Sequence, residues 1–172
     1  MRKMVVLAVA LGASFALCAQ AIAQEKAASA AKKMAGAKKP GHVIMNPADM
    51  KWGDAPPVFP PGAKMAVLQG DPSKPGLFTI RLKVPDGYKV AAHWHPTIEH
   101  LTVVSGTFYL GTGDKLDETK ATAMGPGAFA MMPAKMRHYA WMKGETEVQV
   151  YGMGPFQLIY VNPADDPSKA KK

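Results

Sequence analysis

His93, His95 and Glu99 place three metal-binding side chains within seven residues. Imidazole nitrogens and carboxylate oxygens are the donors with which proteins hold divalent transition ions. In an extended strand, residues two apart project from one face at about 3.3 Å rise per residue, so His93 and His95 are able to share one ion. Trp94 must then point the other way. Pro96 disfavours helical backbone at His95, which supports an extended conformation there. Glu99 follows after a short irregular step from which its carboxylate can swing back, and His138 further on completes a four-ligand set. An arbitrary His-x-His pair is more often two hydrogen-bonded strand histidines with no ion, and that alternative stands until the rest of the pattern is weighed.

The elements that must carry these residues read as strands. Short runs rich in Val, Ile, Phe, Thr and Tyr cover 64–69, 77–84, 88–95, 100–105, 107–110, 128–132, 137–142, 148–151 and 157–161, with Gly, Pro and Asp between them. The run 77–84 alternates most clearly, with Phe78, Ile80, Leu82 and Val84 on one face and Thr79, Arg81 and Lys83 on the other. With no convincing long helix, the pattern predicts an all-β, antiparallel sandwich or small barrel. Residues 41–64 are proline-rich and carry Trp52 and Phe59, which predicts an irregular arm whose aromatics pack on the barrel.

The chain has a net charge of +8, but between residues 40 and 168 it holds 11 basic and 12 acidic residues, a net charge of −1. The basicity lies in an Ala/Lys-rich linker over 24–40 and a basic tail over 162–172, so the barrel has no general attraction to nucleic acid. At the other end, Arg2 and Lys3 precede an apolar run over 5–19, and Ala21-Ile22-Ala23 has the small-x-small form of a signal-peptidase site. The run is shorter than the roughly 20 residues that span a bilayer, so residues 1–23 read as a signal peptide rather than a retained membrane anchor. Cys18 is the only cysteine. Leu17 stands where a lipidated cysteine needs a small residue, and the mature chain is left without a thiol. The expected product is exported, periplasmic or secreted.

The residues Gly87, His93, His95, Glu99 and Gly106 match the first motif of the cupin superfamily, Gly-x5-His-x-His-x3-Glu-x6-Gly, at every position. Gly127, Pro133 and His138 match the second, Gly-x5-Pro-x-Gly-x2-His-x3-Asn, in which Lys135 replaces the turn glycine and Met142 the asparagine. Over residues 65–161 the chain thus resembles a cupin. The resemblance implies a double-stranded β-helix, or jelly roll, holding Fe, Mn, Ni, Co, Cu or Zn through His93, His95, Glu99 and His138. It also shifts the weight from two ordinary strand histidines to metal ligands, and implies a homodimer by family analogy. Glu99 is expected as a ligand or, released from the ion, as a base.

His100, beside Glu99, is expected to face away from the ion, and His42 in the arm is assigned nothing. Met131, Met132, Met136 and Met142 flank the second motif. Soft thioether ligation of copper is one reading of them, but methionine commonly lines apolar cavities, and Met136 and Met142 are expected as pocket wall. A complete ligand set without an added nucleophile favours a metal-dependent enzyme of oxygenase, lyase or isomerase type acting on a small molecule. The alternative is a non-catalytic cupin whose ion is structural or senses a small molecule or metal. A third class, binding to an acidic envelope surface through the Lys-rich tails, ranks last. If residues 1–23 are a signal peptide, N-terminal sequencing of the chain recovered from the periplasm begins at Gln24; recovery of chain that begins at Met1 would contradict it.

Overall fold

The computed structural model describes residues 41–169, all as strands, 3-10 turns and loops. The signal segment and the linker, residues 1–40, lie outside the described residues, as do 170–172. Among the described residues no helix is long and apolar enough to cross a membrane.

Nine strands form one curled antiparallel sheet: β1 (Gly53–Asp54), β2 (Lys64–Gln69), β3 (Gly76–Val84), β4 (Lys89–Trp94), β5 (Glu99–Thr112), β6 (Thr122–Met124), β7 (Phe129–Met132), β8 (His138–Gly154) and β9 (Ile159–Tyr160). This is the jelly-roll barrel expected from the motifs. In β3, Phe78, Ile80, Leu82 and Val84 are buried, while on the opposite face Arg81 donates to Gln149 (3.1 Å) and to Glu147 (2.5 Å) of β8. Burying each of the four apolar side chains contributes roughly 1.5–3 kcal/mol. A one-residue slip would expose all four and bury Arg81 and Lys83, so side-chain alternation fixes the register.

The spacing of apolar runs predicted separate strands over 100–105 and 107–110, and over 137–142 and 148–151. Each pair is instead one long strand, β5 and β8. The two strands pair from Glu99 opposite Gly152 to Thr112 opposite His138, with register shifts around Ser105. Gly106, at φ 78°, is the reason the ladder continues: it absorbs the irregularity in a left-handed conformation, and a Cβ there would run into the Glu145 carbonyl and the Thr146 hydroxyl. β5 and β8 therefore pass through both halves of the barrel. One half adds β3 and β7, the other β4 and β6.

The proline-rich arm closes on the barrel through two phenols. Tyr88 donates its hydroxyl hydrogen to the Pro60 carbonyl (2.7 Å) and Tyr160 to the Val58 carbonyl (2.9 Å), so the residues on both sides of Phe59 are tied down. Trp52 lies under the Lys83 ammonium, 4.7 Å from Nζ to the ring centroid. Burial raises the Tyr88 hydroxyl above its ordinary value, with Tyr160 adding to the shift; burial, then Asp166 and Asp165, raise Tyr160. The unfolded chain loses these protons near pH 10 while the folded chain keeps them, so stability is present below that pH and is lost as pH rises above it. Urea titrations between about pH 9 and 11 are expected to show this loss, and a shallower one in the Tyr88→Phe/Tyr160→Phe variant; equal slopes would contradict the account.

Candidate metal centre

Three different stretches of sheet bring His93, His95 and His138 together, and Glu99, the fourth predicted ligand, stands beside His95 and His138 outside that three-histidine group. His93 on β4 lies opposite both His138, the first residue of β8, and Tyr160 on β9. His95 follows the end of β4, and Glu99 opens β5. The turn after β7 is tied to His95 directly, because the Lys135 amide donates to the His95 carbonyl (2.8 Å) while Met136 closes the turn onto Pro133 (3.0 Å). All four side chains are buried, at 3–7% exposure.

The orientation of the rings comes from the main chain. His93 Nδ1 lies 2.7 Å from the Ala91 carbonyl, His95 Nδ1 2.7 Å from that of Gln157, and His138 Nδ1 3.0 Å from that of Met136. A carbonyl only accepts, so each Nδ1 must carry the proton, and in the neutral ring the lone pair is left on Nε2. The three imidazoles bring one ligand atom each to within 4.8 Å of one another. Glu99 Oε2 stands 3.2 Å from His95 Nε2 and 3.3 Å from His138 Nε2.

The electrostatics suit this arrangement. Burial, then the neighbouring rings of His138 and His95, push His93 down to about 3, so it stays neutral with its lone pair available. Burial opposes charge on His95 as well, but the Glu99 carboxylate more than offsets it and the imidazole is raised. Glu99 itself is lowered: burial would push it up, and the His95 and His138 imidazoles outweigh that. His95 Nε2 is buried with Glu99 Oε2 3.2 Å away but makes no well-directed hydrogen bond to it. Three pinned nitrogen donors, one of them without a well-directed hydrogen bond, together with a carboxylate fit a divalent transition metal. The donor types suit several such ions equally.

Around the cluster lies an interior cavity of about 50 Å³, room for a few water molecules. Its walls are apolar, among them Leu101, Phe108, Met132, Met142 and Val150. Phe156 stacks on His95 at 4.5 Å between centroids and 17° between planes. Met142, assigned to the pocket wall from sequence, lines this cavity. Met136 does not; its side chain packs against the core elsewhere, because the turn at Lys135 carries it away, and it serves the site through its carbonyl. His100 stacks on Tyr151 (4.6 Å, 7°), outside the cluster, and His42 is exposed. Trp94 lines a separate depression with Lys135 and Arg137. The carbonyls of Ala91, Gln157 and Met136 and the rings of Phe59 and Phe156 were not identified from sequence. The two-residue offset between Ala91 and His93, and between Met136 and His138, is the one pattern that pointed to any of them.

Residues 21–158 match the family model described as Domain of unknown function (DUF4437). The chain belongs to the DUF4437 family. It is a cupin-like domain. Solved structures similar to this DUF4437 chain include the polyketide cyclase RemF from Streptomyces resistomycificus, at 16% identity and a TM-score of 0.61, covering 75% of this chain and 92% of that one. An RmlC-like cupin from Shewanella frigidimarina is similar at 15% identity and a TM-score of 0.52, over 67% and 94% of the two chains. A sugar phosphate isomerase of the cupin superfamily from Silicibacter pomeroyi is similar at 16% identity and a TM-score of 0.52, over 64% and 75%. At such identities the likeness carries the jelly-roll fold alone. A comparison with curated proteins found no match.

One departure from the cupin pattern is visible as geometry. Lys135 occupies the turn position of the missing glycine and keeps a left-handed conformation, φ 65°. That conformation costs a non-glycine residue about 1–2 kcal/mol, of which the greater entropy of an unfolded glycine would offset about 0.5–1. Lys135→Gly is therefore expected to stabilise the fold by about 0.5–1 kcal/mol in urea unfolding, with the Lys135 amide still on His95. An unchanged or lower stability would contradict this.

Proposed function

We propose that this DUF4437 chain is an exported, metal-dependent enzyme acting on a small, partly apolar molecule, with His93, His95, Glu99 and His138 holding the ion. The observation that carries the reading is the convergence of three imidazoles, each pinned through Nδ1 to the main chain, inside an apolar cavity. The residues lining that cavity include no serine, cysteine, threonine or lysine, so an ion is the best-supplied source of reactivity. A divalent metal bound there supplies Lewis-acid or oxygen-activating chemistry.

The chain's own residues supply the setting. The carbonyls of Ala91, Gln157 and Met136 keep the rings from turning, so the donor set is preorganised. Phe156 covers one face of His95 and keeps water from it. Glu99 brings the one carboxylate to the cavity, and its ionised form is maintained by His95 and His138. Leu101, Val150 and Met142 leave few polar partners for a substrate other than the ligand set itself, which selects a molecule with one polar end. Oxygenase, lyase and isomerase reactions all suit such a site, and the presence of a cyclase and an isomerase among similar folds supports enzymatic use of the barrel without choosing between them.

Purified chain is expected to carry about one equivalent of a divalent transition metal by elemental analysis. The His93→Ala/His138→Ala variant is expected to lose stoichiometric binding while keeping its far-ultraviolet spectrum. A wild-type chain that takes up no such metal, or a variant with unchanged metal content, would overturn the proposal.

A further inference from the structure

A second apolar cavity, of about 260 Å³, lies between the proline-rich arm and the barrel, and it shares the side chains of Phe59, Phe156 and Leu158 with the 50 Å³ chamber that holds the histidines. The three shared residues are a partition between the two spaces. Its arm side is held in place, since the carbonyls of Val58 and Pro60 on either side of Phe59 accept hydrogen bonds from Tyr160 and Tyr88. Its other side is anchored by Phe156, which packs on His95 and, at 5.1 Å between centroids, on Phe78.

The two cavities differ in size and in chemistry. The inner one has room for little more than the polar end of a ligand, and nearly all its polar groups belong to the His and Glu cluster. The outer one is about five times roomier and is walled by Pro56, Val58, Met65 and Ile80, with Ser73 its only hydroxyl and no charged side chain. A sugar or phosphate body placed there would lose its water without gaining partners, whereas a hydrocarbon chain or ring would gain by leaving water.

We infer that the outer cavity binds the apolar body of the substrate, whose oxygen-bearing end passes the Phe59–Phe156–Leu158 partition to reach the metal centre. This rests on the metal-dependent reading above and narrows the substrate class to amphiphilic molecules with one oxygen-donor end and an apolar tail or ring, which excludes sugar phosphates.

Alkyl hydroxamates test it, because their chelating head is constant while the tail grows. Binding to the Co(II)-loaded chain is read from the visible spectrum of the ion. From acetohydroxamate to octanohydroxamate, affinity is expected to rise roughly threefold to fourfold per methylene until the outer cavity is full, as burial of a methylene implies. Met65→Trp, which fills the outer cavity, is expected to abolish that gain and leave acetohydroxamate binding within twofold of the unsubstituted chain. Ser73→Phe, at the exposed rim, is expected to do the same and decides the matter should Met65→Trp not fold. If acetohydroxamate binds but the longer members are no tighter, or if both variants weaken short and long members alike, the outer-cavity assignment is wrong and the metal centre stands. If the chain takes up no Co(II), or acetohydroxamate leaves the spectrum of the ion unchanged, the metal-dependent reading fails and this inference fails with it.

Discussion

The arrangement of the candidate site depends on three hydrogen bonds from imidazole Nδ1 to main-chain carbonyls. Ala91, Gln157 and Met136 accept them, and each ring in its neutral form is thereby left with its lone pair on Nε2. The side-chain types alone would not achieve this, because a free imidazole offers either nitrogen. Two of the acceptors sit two residues before their histidine, so local backbone geometry sets those rings. The third couples His95 to the segment before β9 and so requires the barrel to have closed.

That constraint explains why the fold invests in continuity. β5 begins at Glu99 and β8 begins at His138, and their long ladder holds the two ends of the motif pair in fixed relation. A break at Gly106 would let the halves of the barrel move independently. The buried charge imposes the same demand. A carboxylate taken from water without partners costs several kcal/mol, so Glu99 is tolerable only where an ion, or a proton on His95 or His138 Nε2 at 3.2 and 3.3 Å, faces it. The site and the fold are therefore not separable: the ladder positions the partners that make the buried carboxylate affordable.

Much of this was legible in the residues themselves. His93, His95, Glu99 and His138 declared themselves by type and spacing, and the alternation of Phe78, Ile80, Leu82 and Val84 declared a half-buried strand. What was not legible depended on long-range pairing. Gly106 reads as a strand break from its neighbours alone, and only the facing Thr146 and Glu145 show it to be a bulge within one strand. Met136 shares sequence parity with His138, yet the left-handed turn at Lys135 turns its side chain out of the cavity and its carbonyl in. Phe59 could be predicted to pack on the barrel, but its place on the wall of the metal chamber depends on Tyr88 and Tyr160, which lie 29 and 101 residues further along the chain.

In the proposed centre three histidines present Nε2 to a common ion while Nδ1 stays protonated, and nitrogen NMR of the histidine side chains measures this directly. On addition of one equivalent of Zn(II), the account predicts that the Nε2 resonances of His93, His95 and His138 shift together while each Nδ1 keeps the position of a protonated nitrogen and His100 is unmoved. Shifts at Nδ1, or a response confined to His100 and His42, would contradict it.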